Sequence, residues 1–376
     1  MAKILLLYAS FGDGHRQVAE SLQEAFLESG HEVAMMDGWR SSNQLLASWN
    51  ERLYEFLTSH LPFVYGWSYD WTEKLSKDST LWRWLSYFSK GAVVGLMQEW
   101  HPDAVIQLFS DQSLRYVKQL NPQVLASVLL TDFALHSRWF VNEADFFLVA
   151  TQELANRAKK IYRLHHEVIP TGIPIRQAFQ QHASGFPFPE LLDKPYLAVL
   201  TGGRGVFPQI LQVVQTLHRQ FPQHRVVVCC GRNEIMRKKI ENHFSNNPLI
   251  LSYGYLQEIN KLMEKADFIV TKAGGVTIAE CLACGTPMLF YKPLPGQERK
   301  NAIYIEKTGG GWIAENLQTL AESCTHLTEK KLQAARSVLK ELQVSDSAKR
   351  VVYEVEERLQ GRQADGGYAA KNIKRV

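Results

Sequence analysis

The chain has 376 residues, 45% of them hydrophobic and 21% charged, a composition that excludes a disordered chain and a length that suits two domains. The net charge of +4 is too small to mark a nucleic-acid binder, and none is expected as a partner. Five cysteines, an odd number in a long chain, argue against a disulfide framework and for a reducing compartment.

The apolar start at residues 4–7 is too short for a signal peptide. It reads as a buried strand, followed by apolar residues at helical spacing (Val18, Ala19, Leu22, Ala25, Phe26). The longest apolar runs, such as residues 92–97, stop far short of the roughly 18 residues that suggest a membrane span. Seven of the nine tryptophans (39, 49, 67, 71, 82, 84 and 100) fall between residues 39 and 100, a clustering that asks for an explanation. Further strands are predicted at 32–36, 104–108, 125–131, 146–149 and 167–169, with helical patterns between most of them. This is βαβ order, and it implies a parallel sheet covered by helices.

The pattern breaks near residues 170–174, and residues 177–195, rich in Pro, Gly and His toward their middle, read as a linker. A second alternating series follows, with strands at 196–201, 226–230, 250–253, 268–271, 287–291 and 311–313. The expected fold class is therefore α/β, with two Rossmann-like domains facing across a cleft. The expected boundaries are 1–176 and 196–345, then a C-terminal helix over 346–360 that packs back on the first domain, then a Gly-rich, basic, disordered tail over 361–376.

Candidate chemistry sits at strand ends, where open α/β sheets bind ligands. Gly12-x-Gly14-His15 follows the first strand and opens a helix, and it is not a dinucleotide fingerprint because Gln17 stands where the third glycine belongs. His15 is placed to act as a general base, or to be a solvated helix-start residue. Asp132 and His136 form a second polar pair after a strand, with a capping turn as the bland alternative. Gly202, Gly203 and Gly205 make a turn that a phosphate could approach. Gly274, Gly275 and Thr277 open a helix whose free N–H groups suit an anion, and Glu280 is placed to accept from a ribose diol or to close a capping box with Thr277. Gln297, Glu298 and Asn301 follow a proline-fixed loop and are of the kind that reads sugar hydroxyls. Cys281-x-x-Cys284 has no second ligand pair and reads as packing.

Taken together and in order, these stretches, with Thr131-Asp132-Phe133-x-x-His136-x-x-Trp139 and Thr171-Gly172-Ile173-Pro174-Ile175-Arg176, resemble the bacterial processive diacylglycerol glucosyltransferases and the plant monogalactosyldiacylglycerol synthases over roughly residues 3–345. These share a superfamily with the peptidoglycan N-acetylglucosaminyltransferase. Departures are Ala273 where the family usually has Pro, Asp13 at a position that is variable in the family, and Arg204 in the Gly-Gly turn.

The resemblance implies an inverting, metal-independent GT-B glycosyltransferase that needs no cofactor, the UDP-sugar being a co-substrate. The C-terminal half would hold UDP-glucose or UDP-galactose, with the diphosphate at Gly274–Thr277, the ribose at Glu280, the uracil at Tyr255-Leu256 and the sugar at Gln297, Glu298 and Asn301. His15 would be the base, with Asp132 or His136 orienting it or serving instead. The acceptor would be diacylglycerol on the cytoplasmic face of the membrane, reached by a peripheral protein, and the product a β-monoglycosyl-diacylglycerol open to further extension. Gly14 and the tryptophans Trp67, Trp71, Trp82 and Trp84 would line the acceptor entrance, since Trp favours the membrane–water interface. Ordinary core packing of several of these tryptophans is the competing expectation. A polyprenyl-linked or small-molecule acceptor, and a non-catalytic nucleotide-sugar or lipid-binding protein, are the competing functions.

Overall fold

A computed structural model of the chain describes residues 1–9, 13–38, 40–41, 61–73, 75, 79–180 and 185–373. Ser10, Phe11, Gly12, Trp39, Trp49 and the side chain of Trp84 lie outside the described residues.

All twelve predicted strands are present. The first six are β1 (Lys3–Tyr8), β2 (Glu32–Asp37), β3 (Ala104–Gln107), β4 (Leu125–Leu129), β5 (Phe146–Val149) and β6 (Glu167–Pro170). They form one sheet in the order β2-β1-β3-β4-β5-β6, every adjacent pair parallel. Six more, β7 (Tyr196–Leu200), β8 (Arg225–Cys229), β9 (Ile250–Tyr253), β10 (Ile269–Thr271), β11 (Met288–Tyr291) and β12 (Gly311–Ala314), form a second parallel sheet in the order β12-β11-β10-β7-β8-β9. Central strands such as β4 and β7 are buried along their whole length, as expected where helices cover both faces of a parallel sheet.

In each sheet the chain reverses direction of travel once, between β1 and β3 in the first and between β7 and β10 in the second. Ligands of open α/β sheets bind at such switch points, outside the carboxyl ends of the strands. His15 follows β1, Thr131 and Asp132 follow β4, the turn 202–205 follows β7, and Gly274 follows β10, so the candidate site residues collect at or beside these two points.

The helices of the first half are α1 (Gly14–Glu28), α2 (Pro62–Glu73), α3 (Thr80–Trp100), α4 (Ser113–Leu120) and α5 (Gln152–Tyr162). Those of the second are α6 (Ile210–Gln220), α7 (Glu234–His243), α8 (Ile259–Lys265), α9 (Gly275–Cys284), α10 (Gln297–Thr308), α11 (Leu317–His326) and α12 (Glu329–Leu342). The last helix, α13 (Ser347–Ile373), returns to the first domain: its Glu356 lies 2.8 Å from His31 Nε2, and Arg358 pairs with Glu167. The chain continues as helix past residue 360, where the sequence predicts loss of order. Arg362 holds that continuation, its guanidinium 2.9 Å from Asp145 and donating to the Gln123 carbonyl at 2.6 Å.

Candidate active site

The two glycine-rich helix starts meet. A side chain at Gly14, the first residue of α1, would lie in ordinary contact with Val276 of α9. Gly275 is tighter: a Cβ there would stand 2.0 Å from the Thr131 carbonyl oxygen and 3.0 Å from Asp132 Oδ1. Only glycine lets the α9 N-terminus approach the end of β4 this closely. Gly274 is the N-cap of α9, with no side-chain cap, so the first-turn N–H groups of the helix are left for another acceptor. The capping box of Thr277 with Glu280 is therefore not formed.

His15 Nδ1 lies 3.1 Å from Thr131 Oγ1. Its ring is half-buried, edge-on to Phe109 at 5.4 Å, with Trp139 at 6.5 Å. Desolvation lowers its pKa to about 4, against a hydrogen bond with the Leu108 backbone that opposes the shift. The ring is thus neutral at pH 7, able to accept a proton. One residue, Thr131, touches both this imidazole and the open end of α9.

Asp132 does not orient His15, and neither does His136. The Asp132 carboxylate is buried and accepts from the side-chain amides of Gln297 and Asn301, the latter at 3.2 Å. Burial raises its pKa to about 6, the two amides opposing and Glu298 reinforcing. His136 is buried with both nitrogens committed: Nδ1 accepts from Arg138 N at 3.1 Å, so Nε2 carries the proton and faces the Tyr69 carbonyl at 3.3 Å. Desolvation, with Arg138 and Lys300 nearby, lowers its pKa to about 4. Through these contacts His136 ties α2 to the rest of the first domain.

Several expected sugar-facing and donor-facing groups are engaged inside the protein. Asn301 is fully buried, its Oδ1 accepting from Phe133 N at 2.9 Å and its amide donating also to the Ala273 carbonyl at 3.0 Å. It joins the domains and is not free to read a hydroxyl. Glu298 accepts from Leu294 N at 3.0 Å, fixing its own loop. Glu280 is buried with its pKa raised by desolvation, and Arg176 donates to it at 3.3 Å. Tyr255 is exposed and Leu256 half-buried at the end of β9. Gly202 and Gly205 have positive φ (80° and 66°) and shape the turn with Gly203 between them. Cys281 is buried and Cys284 donates to the Asn260 carbonyl, as packing residues do.

The tryptophans divide. On α2, Phe63, Trp67 and Trp71 recur every fourth residue and stand 85%, 68% and 47% exposed, with Val64 beside them. Trp67 and Trp71 stack at 6.3 Å. The opposite side of α2 faces the second domain, where Lys300 pairs with Glu73 and lies over the Tyr69 ring at 5.0 Å. Trp82 is a correction to the expected anchors: it is buried, with the Arg138 guanidinium 4.3 Å above its ring. Sequence reasoning did not single out Thr131, which holds His15, or Arg176, Lys300, Asp13 and Arg232, which make polar contacts between the two halves of the chain. Thr131, Arg176 and Asp13 stand inside the quoted motifs; what the sequence does not show is that the partners of Asp13, Lys300 and Arg232 come from the other domain.

Two facing Rossmann-like domains with an anion-ready helix start on one side and a neutral histidine on the other define a two-domain GT-B glycosyltransferase. Solved structures share this fold: MurG of Acinetobacter baumannii (TM-score 0.60, 15% identity, 94% of this chain and 99% of that one) and the MnaA–UDP complex of S. aureus (TM-score 0.63, 14% identity, 96% and 97%). Residues 15–175 match the monogalactosyldiacylglycerol (MGDG) synthase family, and residues 197–351 the glycosyltransferase family 28 C-terminal domain. The processive diacylglycerol β-glucosyltransferase of Bacillus mycoides (strain KBAB4) is 30% identical over 325 residues, 83% of this chain and 81% of the relative. The chain belongs to the family of the processive diacylglycerol β-glucosyltransferases.

Proposed function

We propose that this chain transfers a hexose from UDP-glucose or UDP-galactose to diacylglycerol, with inversion, giving a β-monoglycosyl-diacylglycerol. The observation that carries the reading is the position of Thr131, hydrogen-bonded to His15 and pressed against Gly275 at the start of α9. It sets a proton acceptor beside an anion site, the two groups that a displacement at an anomeric carbon needs.

The acceptor hydroxyl oxygen attacks the anomeric carbon and its proton passes to His15. The bond from that carbon to the UDP oxygen breaks on the opposite side, and the electron pair leaves with UDP. An α-linked donor thereby becomes a β-glycoside. The unsatisfied N–H groups and dipole at the start of α9 take up the developing diphosphate charge. In the free protein, burial makes the His15 imidazolium costly. A bound diphosphate nearby favours that cation and raises the histidine toward a working pKa, so the base gains strength only when the donor is present.

The exposed aromatic stripe of α2 supports a peripheral contact with the cytoplasmic face of the membrane, where the acceptor lies. No helix among the described residues is long and apolar enough to cross a membrane. The test is incubation of the protein with each UDP-sugar and diacylglycerol liposomes, with products read by mass spectrometry. A hexosyl-diacylglycerol from UDP-glucose or UDP-galactose is expected; failure of every UDP-sugar to yield a glycolipid overturns the reading.

A further inference from the structure

Arg232 reaches from the second domain to the first: its Nη1 donates to Asp13 Oδ2 at 3.2 Å. Its backbone is held against the glycine turn after β7. Arg232 N donates to the Gly203 carbonyl at 2.9 Å, and the Asn233 side chain donates to the Gly205 carbonyl at 2.8 Å. The guanidinium lies 5.1 Å over the ring of Tyr255, on the loop expected to face the nucleobase. The side chain nevertheless remains 60% exposed.

Its partner is placed unusually. Asp13 is the residue just before Gly14 and His15, and a Cβ at Gly203 would lie 2.3 Å from Asp13 Oδ2. A carboxylate oxygen therefore rests in the space above the glycine turn, where a phosphate oxygen of a nucleotide would come closest to the backbone. One anion, supplied by the acceptor domain, occupies the position that suits another.

We propose that Arg232 is a contact for the donor's diphosphate, held in reserve by Asp13, and that a nucleoside diphosphate displaces the Asp13 carboxylate from both the guanidinium and the Gly203 turn. The inference rests on the donor reading above. An exposed pair in high dielectric is weakly held, so exchange for a ligand of greater negative charge is favourable. The exchange also frees Asp13, two residues from His15, at the moment the donor arrives. Neither Asp13 nor Arg232 is part of the helix-start anion site at Gly275, so the diphosphate is gripped from two sides.

The experiment is calorimetric titration of the full chain with UDP and, separately, with uridine, for the wild type, Arg232→Gln and Asp13→Asn. Arg232→Gln should weaken UDP by roughly tenfold, the scale of one charge-assisted hydrogen bond, and leave uridine unchanged. Asp13→Asn keeps the shape and removes the charge, and should tighten UDP by roughly threefold, again without effect on uridine. Unchanged uridine affinity also reports an intact fold in each variant. Equal UDP affinity in wild type and Arg232→Gln overturns the proposal, as does an equal loss for uridine, which would assign Arg232 to the nucleobase. Unchanged UDP affinity in Asp13→Asn overturns the displacement. If the wild type binds no UDP, the donor reading falls and this inference with it.

Discussion

Asn301 of the second domain donates its side-chain amide to the Asp132 carboxylate of the first at 3.2 Å, in a region where both side chains are buried. The bond closes the cleft at the depth of the reacting groups, and it makes a carboxylate with a raised pKa part of the domain interface.

Asp132→Asn tests the energetics of that interface. Both amides donate to Oδ1, which an asparagine retains. With its folded pKa raised from 3.8 to about 6 by burial, the carboxylate costs stability. That cost is absent below about 4, grows as pH rises, and is fully present above about 6; its size is about 3 kcal/mol. The variant should therefore melt several degrees above wild type at pH 8, and the gain should vanish at pH 4. A lower melting temperature at pH 8 would show that the charge is compensated.

Gly275→Ala tests the close approach of the domains. The new methyl group would meet the Thr131 carbonyl oxygen, so α9 must retreat from the residue that holds His15. Turnover should fall by roughly 100-fold or more, the scale of an ångström-sized misplacement at a reacting centre. Secondary structure by circular dichroism should stay intact. Near-normal turnover would mean that the two helix starts need not touch.

The tryptophans should separate in two assays. Replacing Trp67 and Trp71 together by Ala should lower flotation with diacylglycerol-containing liposomes while changing stability by about 1 kcal/mol or less, because both rings are exposed. Trp82→Ala should leave flotation alone and cost about 3–5 kcal/mol in urea unfolding, as truncation of a buried ring does. Reversed outcomes would return Trp82 to the membrane face.

How much of this was legible in the sequence follows from the range of the interactions. The twelve strands and the two halves were readable because buried parallel strands write themselves as short apolar runs, and the helix starts because glycines at strand ends have few other uses. The sequence could place Asn301 in a polar loop but not show that its amide turns toward Asp132, 169 residues away. It gave Trp82 no direction: only the Arg138 guanidinium over its ring shows that this tryptophan faces inward while Trp67 and Trp71 face out. Nor could the sequence show which groups His136 meets: its ring nitrogens face the Arg138 N–H and the Tyr69 carbonyl.

The central claim is that His15 accepts the proton of the acceptor hydroxyl. The most direct measurement compares His15→Ala with wild type for turnover on liposomal diacylglycerol and for UDP affinity in the same preparation. Removal of the general base should cut kcat by about 100-fold or more while UDP binds with near-normal affinity. Near-normal turnover in that variant would contradict the account.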